Sequence, residues 1–257
     1  MTVKVYMLAR PQFTEEYRAF LEDFFPASER QWSETTGPTP AECLVEFAGR
    51  VCYLSFGRRQ APGTNADYIR KLIKNEHESV LEHVSWTVLI SGVSRAFSHQ
   101  LVRHRVGFAF SQLSQQYHDE STGRFVQPAD IEDVPGLSDT WAAAMNSAQL
   151  AYREIIAKLS AQESLQNVDR EKLRAIRSAA RSVLPNASET VIVATINARA
   201  LRHFLKVRGG IVGDAEMRRV SAALLELIRE EGPALFFDFT VEYPADGLPL
   251  VVHHKTA

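Results

Sequence analysis

Apolar residues recur along this chain with two periods, and each period points to a different element. Spacing near 3.6 residues, the mark of an amphipathic helix, runs over Glu15 to Phe25, Pro40 to Tyr53, Ala66 to Asn75 and Ser94 to His104. It returns over Asp139 to Leu159, Asp169 to Val183, Ala198 to Val207 and Ala215 to Glu231. Short strands are expected at Val3 to Met7, Ser85 to Ser91, Glu189 to Ile196 and Phe236 to Tyr243, with Gly92 ending the second. A loop rich in Ser and Gln should follow His104. Thr39-Pro40-Ala41-Glu42 is a capping box with proline at the first helical position. In the helix it opens, Cys43, Phe47 and Val51 fall at helical spacing beside Leu44 and Ala48, so Cys43 and Cys52 are both expected in the core. Long helices alternating irregularly with a few strands define an α+β chain, with a small antiparallel sheet, rather than a doubly wound one.

Composition narrows the class. The chain has 257 residues, 45% hydrophobic and 23% charged, which excludes disordered, collagenous and disulfide-stapled proteins. No repeat or linker stands out, so a single domain over residues 1–257 is expected, loosest at Pro26 to Pro40, Arg58 to Asn65 and Asp119 to Ser138. No apolar run approaches the roughly 18 to 20 residues that cross a bilayer, and residues 1–10 do not form a signal-peptide core. Two cysteines make no disulfide framework, and a cytoplasmic location is expected. A net charge of -2 removes bulk attraction to nucleic acid or membrane. Any anionic ligand must therefore meet a local cluster of cations.

Such a cluster exists at Arg95, His99, Arg103, His104 and Arg105, followed by Ser111-Gln112-Leu113-Ser114-Gln115-Gln116-Tyr117. A continuous helix would align Arg95, His99 and Arg103 on one face. It would set Arg103 and Arg105 about 200° apart. Cations gather at helix C-termini for macrodipole reasons alone. A neutral hydrogen-bonding segment beside them suits phosphates and a flat heterocycle instead. A second constellation runs from Arg181 through Asn197 and Arg199 to His203 and Arg208. His77 and His83 are six apart, which does not match the histidine pair of a metalloprotease helix, and His253 and His254 are expected to be exposed. There is no Gly-x-Ser-x-Gly elbow and no Gly-x-Gly-x-x-Gly after a strand. A site of arginines, amides and hydroxyls binds and polarises a ligand, leaving the hard chemistry to a cofactor.

In these blocks the chain resembles the flavin-dependent thymidylate synthases. The resemblance runs from Leu44–Arg50 through His77–His83, Arg103-His104-Arg105 with its Ser/Gln segment, and Val183-Leu184-Pro185-Asn186 to the Asn197–Glu216 region. It implies a mixed α/β homotetramer whose sites draw on several chains. It also implies bound FAD, NADPH as reductant, and transfer of a one-carbon unit from methylenetetrahydrofolate to C5 of dUMP. By position, it places His77, Ser79, Arg103, His104, Arg105, Gln112, Asn197, Arg199 and His203 against FAD. Gln100, Arg103, Gln112, Leu113, Ser114, Gln115, Gln116 and Arg181 fall against the nucleotide, and Arg208 against its uracil ring. A guanidinium there favours the N3 anion. No cysteine nucleophile is needed.

Three departures from the family pattern fall in this region. Eight residues separate Arg105 from Ser114, one more than in the family pattern. Gln116 stands where an arginine is common, and Val212 where a histidine is common. Losing the cation at 116 removes a charge-assisted bond of about 1.5–3 kcal/mol if nothing replaces it. An apolar pocket rejects an added hydroxyl only about a hundredfold. The altered segment therefore leads to the expectation that UMP is methylated as well as dUMP, as in a family branch serving nucleoside-antibiotic biosynthesis. The competing expectation is a flavin- and nucleotide-binding module without turnover; an RNA-binding role would need the basic, aromatic-interleaved surface this chain lacks.

Overall fold

The computed structural model describes residues 2–27, 30–32, 38–60, 63–132, 134–162 and 169–255. Within the stretches expected to be loosest, 28–29, 33–37, 61–62 and 133 lie outside the described residues. In chain order the elements begin with β1 (Lys4–Ala9), α1 (Tyr17–Phe24), α2 (Pro40–Tyr53), α3 (Asn65–Lys74), β2 (Ser85–Ser94), α4 (Arg95–Leu101) and β3 (Phe108–Gln112). They continue with α5 (Ala129–Glu132), α6 (Leu137–Gln162), α7 (Arg170–Ala180), β4 (Glu189–Asn197), α8 (Ala198–Phe204), α9 (Ala215–Arg229), β5 (Phe239–Glu242) and β6 (Leu250–His253). One sheet has the strand order β1-β2-β4-β3, and β5 pairs with β6 antiparallel, Phe239 opposite His253. The fold is α+β. Among the described residues no helix is long and apolar enough to cross a membrane.

The chain divides into two compact units. The first comprises Met1–Lys4, Ile90–His104 and Phe110–Val193. Its buried side chains include Ile90, Val93, Phe97, Leu101, Tyr152, Ile176 and Ile192. Here β2 continues past its expected end. Gly92 sits inside the strand at φ +71°, and a Cβ there would lie 2.6 Å from the Thr2 carbonyl oxygen. The alternation of buried and half-buried positions breaks at this residue, as at a β-bulge. Helix α4 stops at Leu101 rather than His104, because Arg103 and His104 turn their N–H groups to the carbonyls of Gln100 and Leu101. Arg95 and Arg103 therefore do not share a helical face. The segment expected as a loop after His104 contains a strand, β3, whose following residue Leu113 donates its N–H to Val191 at 3.0 Å. Part of the stretch Asp119 to Ser138 is also ordered: Tyr152 of α6 receives the Glu120 N–H at 3.2 Å, and Arg153 donates to the Ser121 carbonyl at 2.6 Å.

The second unit comprises Val5–Leu89, Arg105–Ala109 and Ala194–Ala257. The capping box of α2 forms as expected, with Glu42 N–H on Thr39 Oγ1 at 3.3 Å and Thr39 N–H on Glu42 Oε2 at 2.9 Å. The helix nevertheless buries a different face. Glu42, Glu46 and Arg50 point inward, whereas Val51 and Cys52 are exposed and Cys43 is half-buried. Inward polarity is stable because every group is matched: Glu42 accepts the Ala234 N–H at 2.6 Å, and Glu46 accepts from Arg50 at 2.7 Å and Asn65 at 2.7 Å. Phe47 instead joins an aromatic cluster with Phe13, Tyr17 and Trp32.

The expected strand at Phe236 to Tyr243 begins only at Phe239, because Pro233–Phe236 is a 3₁₀ turn. Its partner β6 is not foreshadowed by the sequence pattern, nor is the placing of His253. That residue is not simply exposed: its Nε2 lies 3.0 Å from Asp238 Oδ2, and its ring sits 4.9 Å from that of Phe239. His254 reaches Thr240 Oγ1 at 2.7 Å. Asp238 also takes a bidentate pair from Arg202 of α8, at 2.7 and 2.6 Å, and both side chains are 1% exposed.

Burial pushes the Asp238 carboxyl up, yet the bonds and charge of Arg202, with the hydrogen bond to His253, outweigh it and hold the carboxyl below its ordinary value. A depressed folded value means that this contribution is complete above the unfolded value of about 3.9. It is lost as the pH falls through the folded value. Asp238→Asn strands a buried guanidinium and is expected to lower the unfolding free energy by about 3–5 kcal/mol at pH 7. Urea titrations at descending pH should show the gap between variant and wild type closing in the acid range.

Candidate functional site

In the first unit, β3 runs into residues 112–116 and carries the amides of the Ser/Gln segment. Gln112 donates to Ser98 Oγ at 2.8 Å and Thr190 Oγ1 at 3.2 Å, which fixes its amide orientation. Arg95 donates to the Leu113 carbonyl at 2.7 Å. Gln115 is 6% exposed, and its Nε2 has no hydrogen-bond partner. Arg95 Nε is likewise buried without one. Unpaired buried donors of this kind are costly unless a ligand or water completes them. Burial, and secondarily the charge of Arg181, lower the Arg95 pKa against the opposing pull of Glu120. Arg95 and Arg181, far apart in sequence, thus share one electrostatic environment. Gln100 and His104 are half-buried, and Arg103 is exposed in the turn after α4.

Gln116, which the resemblance aligns with a common arginine, is tied down. Its Oε1 accepts from Arg174 Nε at 3.2 Å, its Nε2 donates to Ser178 Oγ at 3.3 Å, and its backbone N–H reaches Ser114 Oγ at 3.3 Å. Arg177 donates to the Tyr117 carbonyl at 2.6 Å, while Arg170 and Arg174 stand 5.5 and 5.7 Å from the Tyr117 ring centre. Sequence reasoning missed Arg174 and Arg177. The signal was present: Arg170, Arg174, Arg177 and Arg181 recur at steps of four, three and four, which is one helical face.

The second unit gathers the other residues. Gly107, at φ +73°, reverses the chain after Arg105, and its carbonyl accepts the Asn197 N–H at 3.0 Å. A Cβ there would lie 2.6 Å from Asn197 Nδ2 and 2.7 Å from Ala200 Cβ. Asn197 in turn caps α8, its Oδ1 accepting from Ala200 at 2.8 Å. This places the turn carrying Arg105 beside the start of α8. Arg199 donates to Glu82 at 2.6 Å, and its Nε lies 3.8 Å from Glu78, so the 3₁₀ turn Glu78–His83 is tied to α8 as well. His77, Ser79 and His203 are exposed. After α8 the backbone widens into a π turn, Leu205–Gly209, which holds Arg208 half-buried.

In each unit, guanidiniums stand beside neutral amides or imidazoles at the ends of helices and strands. Residues 35–234 match the family described as thymidylate synthase complementing protein, and the chain belongs to that family. The flavin-dependent thymidylate synthase of Mycobacterium avium (strain 104) is 42% identical over 226 residues, covering 88% of this chain and 89% of that protein. That of Mycobacterium marinum (strain ATCC BAA-535 / M) is 43% identical over 214 residues, covering 83% and 85%. The enzyme of the same description from Mycobacteroides abscessus is 41% identical over 233 residues, covering 90% and 91%.

Gly107→Ala forces a side chain onto left-handed backbone, a penalty of about 1–2 kcal/mol. Displacing the Asn197 cap adds about 1 kcal/mol. Urea unfolding of this variant is expected to show the sum of the two, and a loss below about 0.5 kcal/mol would mean that the turn relaxes without disturbing Asn197.

Proposed function

We propose that this chain is a flavin-dependent thymidylate synthase. In this reading it uses NADPH as reductant and methylenetetrahydrofolate as one-carbon donor, methylates C5 of dUMP, accepts UMP as well, and works in the cytoplasm. The observation that carries the nucleotide half is the Gln116–Arg174 contact. Where the resemblance puts a cation on the loop, this chain has a glutamine whose Oε1 accepts from Arg174 of α7, a guanidinium that also pairs with Glu171 at 3.1 Å, and whose backbone N–H reaches Ser114 Oγ. A phosphate dianion would then be met by Arg174, Arg181 and the Ser114 hydroxyl, so the charge missing at 116 is replaced rather than lost. UMP acceptance rests on the same rearrangement together with the longer Arg105–Ser114 spacing, and supply to nucleoside-antibiotic biosynthesis is the pathway it would suit.

The residues of the second unit fit FAD. Arg105, Arg199, His77 and His203 offer N–H donors to a pyrophosphate, Ser79 offers a hydroxyl, and the close approach at Gly107 brings two of these segments together. The resemblance assigns Arg103, His104 and Gln112 of the first unit to the flavin as well. When bound, the flavin supplies the hydride chemistry that the side chains cannot. Arg208 would lie against the uracil, where its guanidinium stabilises negative charge at N3 and its carbonyl neighbours. The resemblance assigns Gln100, Leu113 and Gln115 of the first unit to the nucleotide, the unpaired Gln115 amide being a donor in want of an acceptor. A homotetramer belongs to the same proposal: Val106 and Val212, 88% and 67% exposed beside Arg105 and beyond Arg208, would be covered by a second copy.

Mass spectrometry of dUMP and UMP after incubation with FAD, NADPH and methylenetetrahydrofolate tests the reaction. One added methyl on both nucleotides is expected; product from dUMP alone removes the UMP extension, and product from neither, with flavin and nucleotide bound, leaves a binding module. Arg174→Ala should raise the KM for the nucleotide by roughly 10- to 100-fold, the equivalent of one charge-assisted bond. FAD affinity should be unchanged in that variant.

A further inference from the structure

Both amide protons of Gln112 are engaged inside the first unit. Its Nε2 lies 2.8 Å from Ser98 Oγ on α4 and 3.2 Å from Thr190 Oγ1 on β4. A glutamine amide can be turned end for end with no change of shape, so its partners decide which end faces them. Ser98 decides it here. A serine hydroxyl has one proton, and that of Ser98 goes to the Arg95 carbonyl at 3.1 Å. Only lone pairs then face Gln112, and the group that meets them must be the NH₂. Turning the amide over would set Oε1 against those lone pairs and leave acceptors facing one another. Ser98 and Thr190 are 2% and 1% exposed, so water does not compete for these bonds. The sheet holds Thr190 in place: Gln112 ends β3, and the next residue gives its N–H to the Val191 carbonyl at 3.0 Å.

With both protons engaged, Gln112 has only Oε1 left to offer, and the residue is half-buried rather than sealed. We infer that Ser98 and Thr190 are positioning residues that make Gln112 a fixed acceptor, so that the site selects a ligand presenting an O–H or N–H donor to it. The ligand half rests on the function proposed above, in which a uracil nucleotide supplies that donor from a sugar hydroxyl or from its ring N3–H. Selection follows from the lock. A free glutamine amide turns to suit a donor or an acceptor alike. A locked one is left with an unpaired oxygen whenever the ligand lacks the donor, and the ligand is rejected by that loss.

Two measurements on the flavin-loaded protein test this. Side-chain amide exchange by NMR reads the lock without any nucleotide. The Gln112 NH₂ resonances, assigned by their loss in Gln112→Met, should be protected in the wild type. In Thr190→Val, which keeps the shape and removes the oxygen, they should exchange about tenfold faster, the equivalent of one hydrogen bond. Thr190→Ser should restore protection, and Ser98→Ala should act like Thr190→Val. Calorimetric titration reads the selection, with dUMP set against its 2′,3′-dideoxy analogue and its 3-deaza analogue, in which a C–H replaces the ring N–H. Wild type should bind one of the two roughly threefold or more weakly than dUMP, and which one identifies the donor. That gap should close in Thr190→Val and persist in Thr190→Ser. A packing defect alone would weaken dUMP and analogue equally and leave the gap open, and that result overturns the inference. An unprotected Gln112 amide in the wild type, or equal wild-type affinity for all three nucleotides, also overturns it. If wild type binds no nucleotide, the ligand half falls with the function proposed above, while the exchange measurement still upholds or overturns the lock.

Discussion

The carboxylate of Asp238, held between Arg202 and His253, is the interaction on which the placing of residues 199–208 depends. Arg202 lies on α8 between Arg199 and His203, and its guanidinium also donates to the Leu235 carbonyl at 2.6 Å and sits 5.1 Å from the Phe239 ring centre. A buried ion pair is a poor source of net stability but a demanding one: moving either partner strands a charge. The pair therefore fixes the rotation of α8 about its own axis, and with it the direction in which Arg199 and His203 leave the helix.

A second buried arginine does the same for the segment beyond Arg208. Arg218, 0% exposed, pairs with Asp246 at 2.6 and 3.1 Å and donates to the carbonyls of Leu248, Pro249 and Val212. The π turn holding Arg208 is thus anchored on one side by α8 and on the other through the carbonyl of Val212. Gly209 fits closely under Val251, whose Cβ would stand 2.7 Å from any added Cβ. A half-buried guanidinium is held in one direction by such a frame, since small displacements of charge are costly in a low-dielectric setting.

The Gln116 region of the first unit shows how an arginine far away in sequence comes to stand beside a loop amide. A cation on a loop has to be ordered on binding, whereas one at a helical step of four from its neighbours is oriented beforehand. Gln116 gives up the charge but keeps two hydrogen bonds, one of which steers Arg174. The guanidinium beside this position comes from a side chain that lies 58 residues away in sequence.

Local physics made much of this legible in advance. Alternation in β2 and β4, the Thr39–Glu42 capping box and the periodicity of α9 depend on nearest neighbours along the chain. What escaped was settled by partners distant in sequence. The inward polar face of α2 is stable only because Asn65 and Ala234 complete it. Residues 108–112 become a strand because β4 offers a partner, and Gly92 continues one because the Thr2 carbonyl fills the space its missing Cβ leaves. His253 is drawn inward by a carboxylate fifteen residues away. Periodicity reports which face of an element is apolar; it carries no information about which buried charges will find counter-charges, and those pairings decided where the polar side chains of this protein stand.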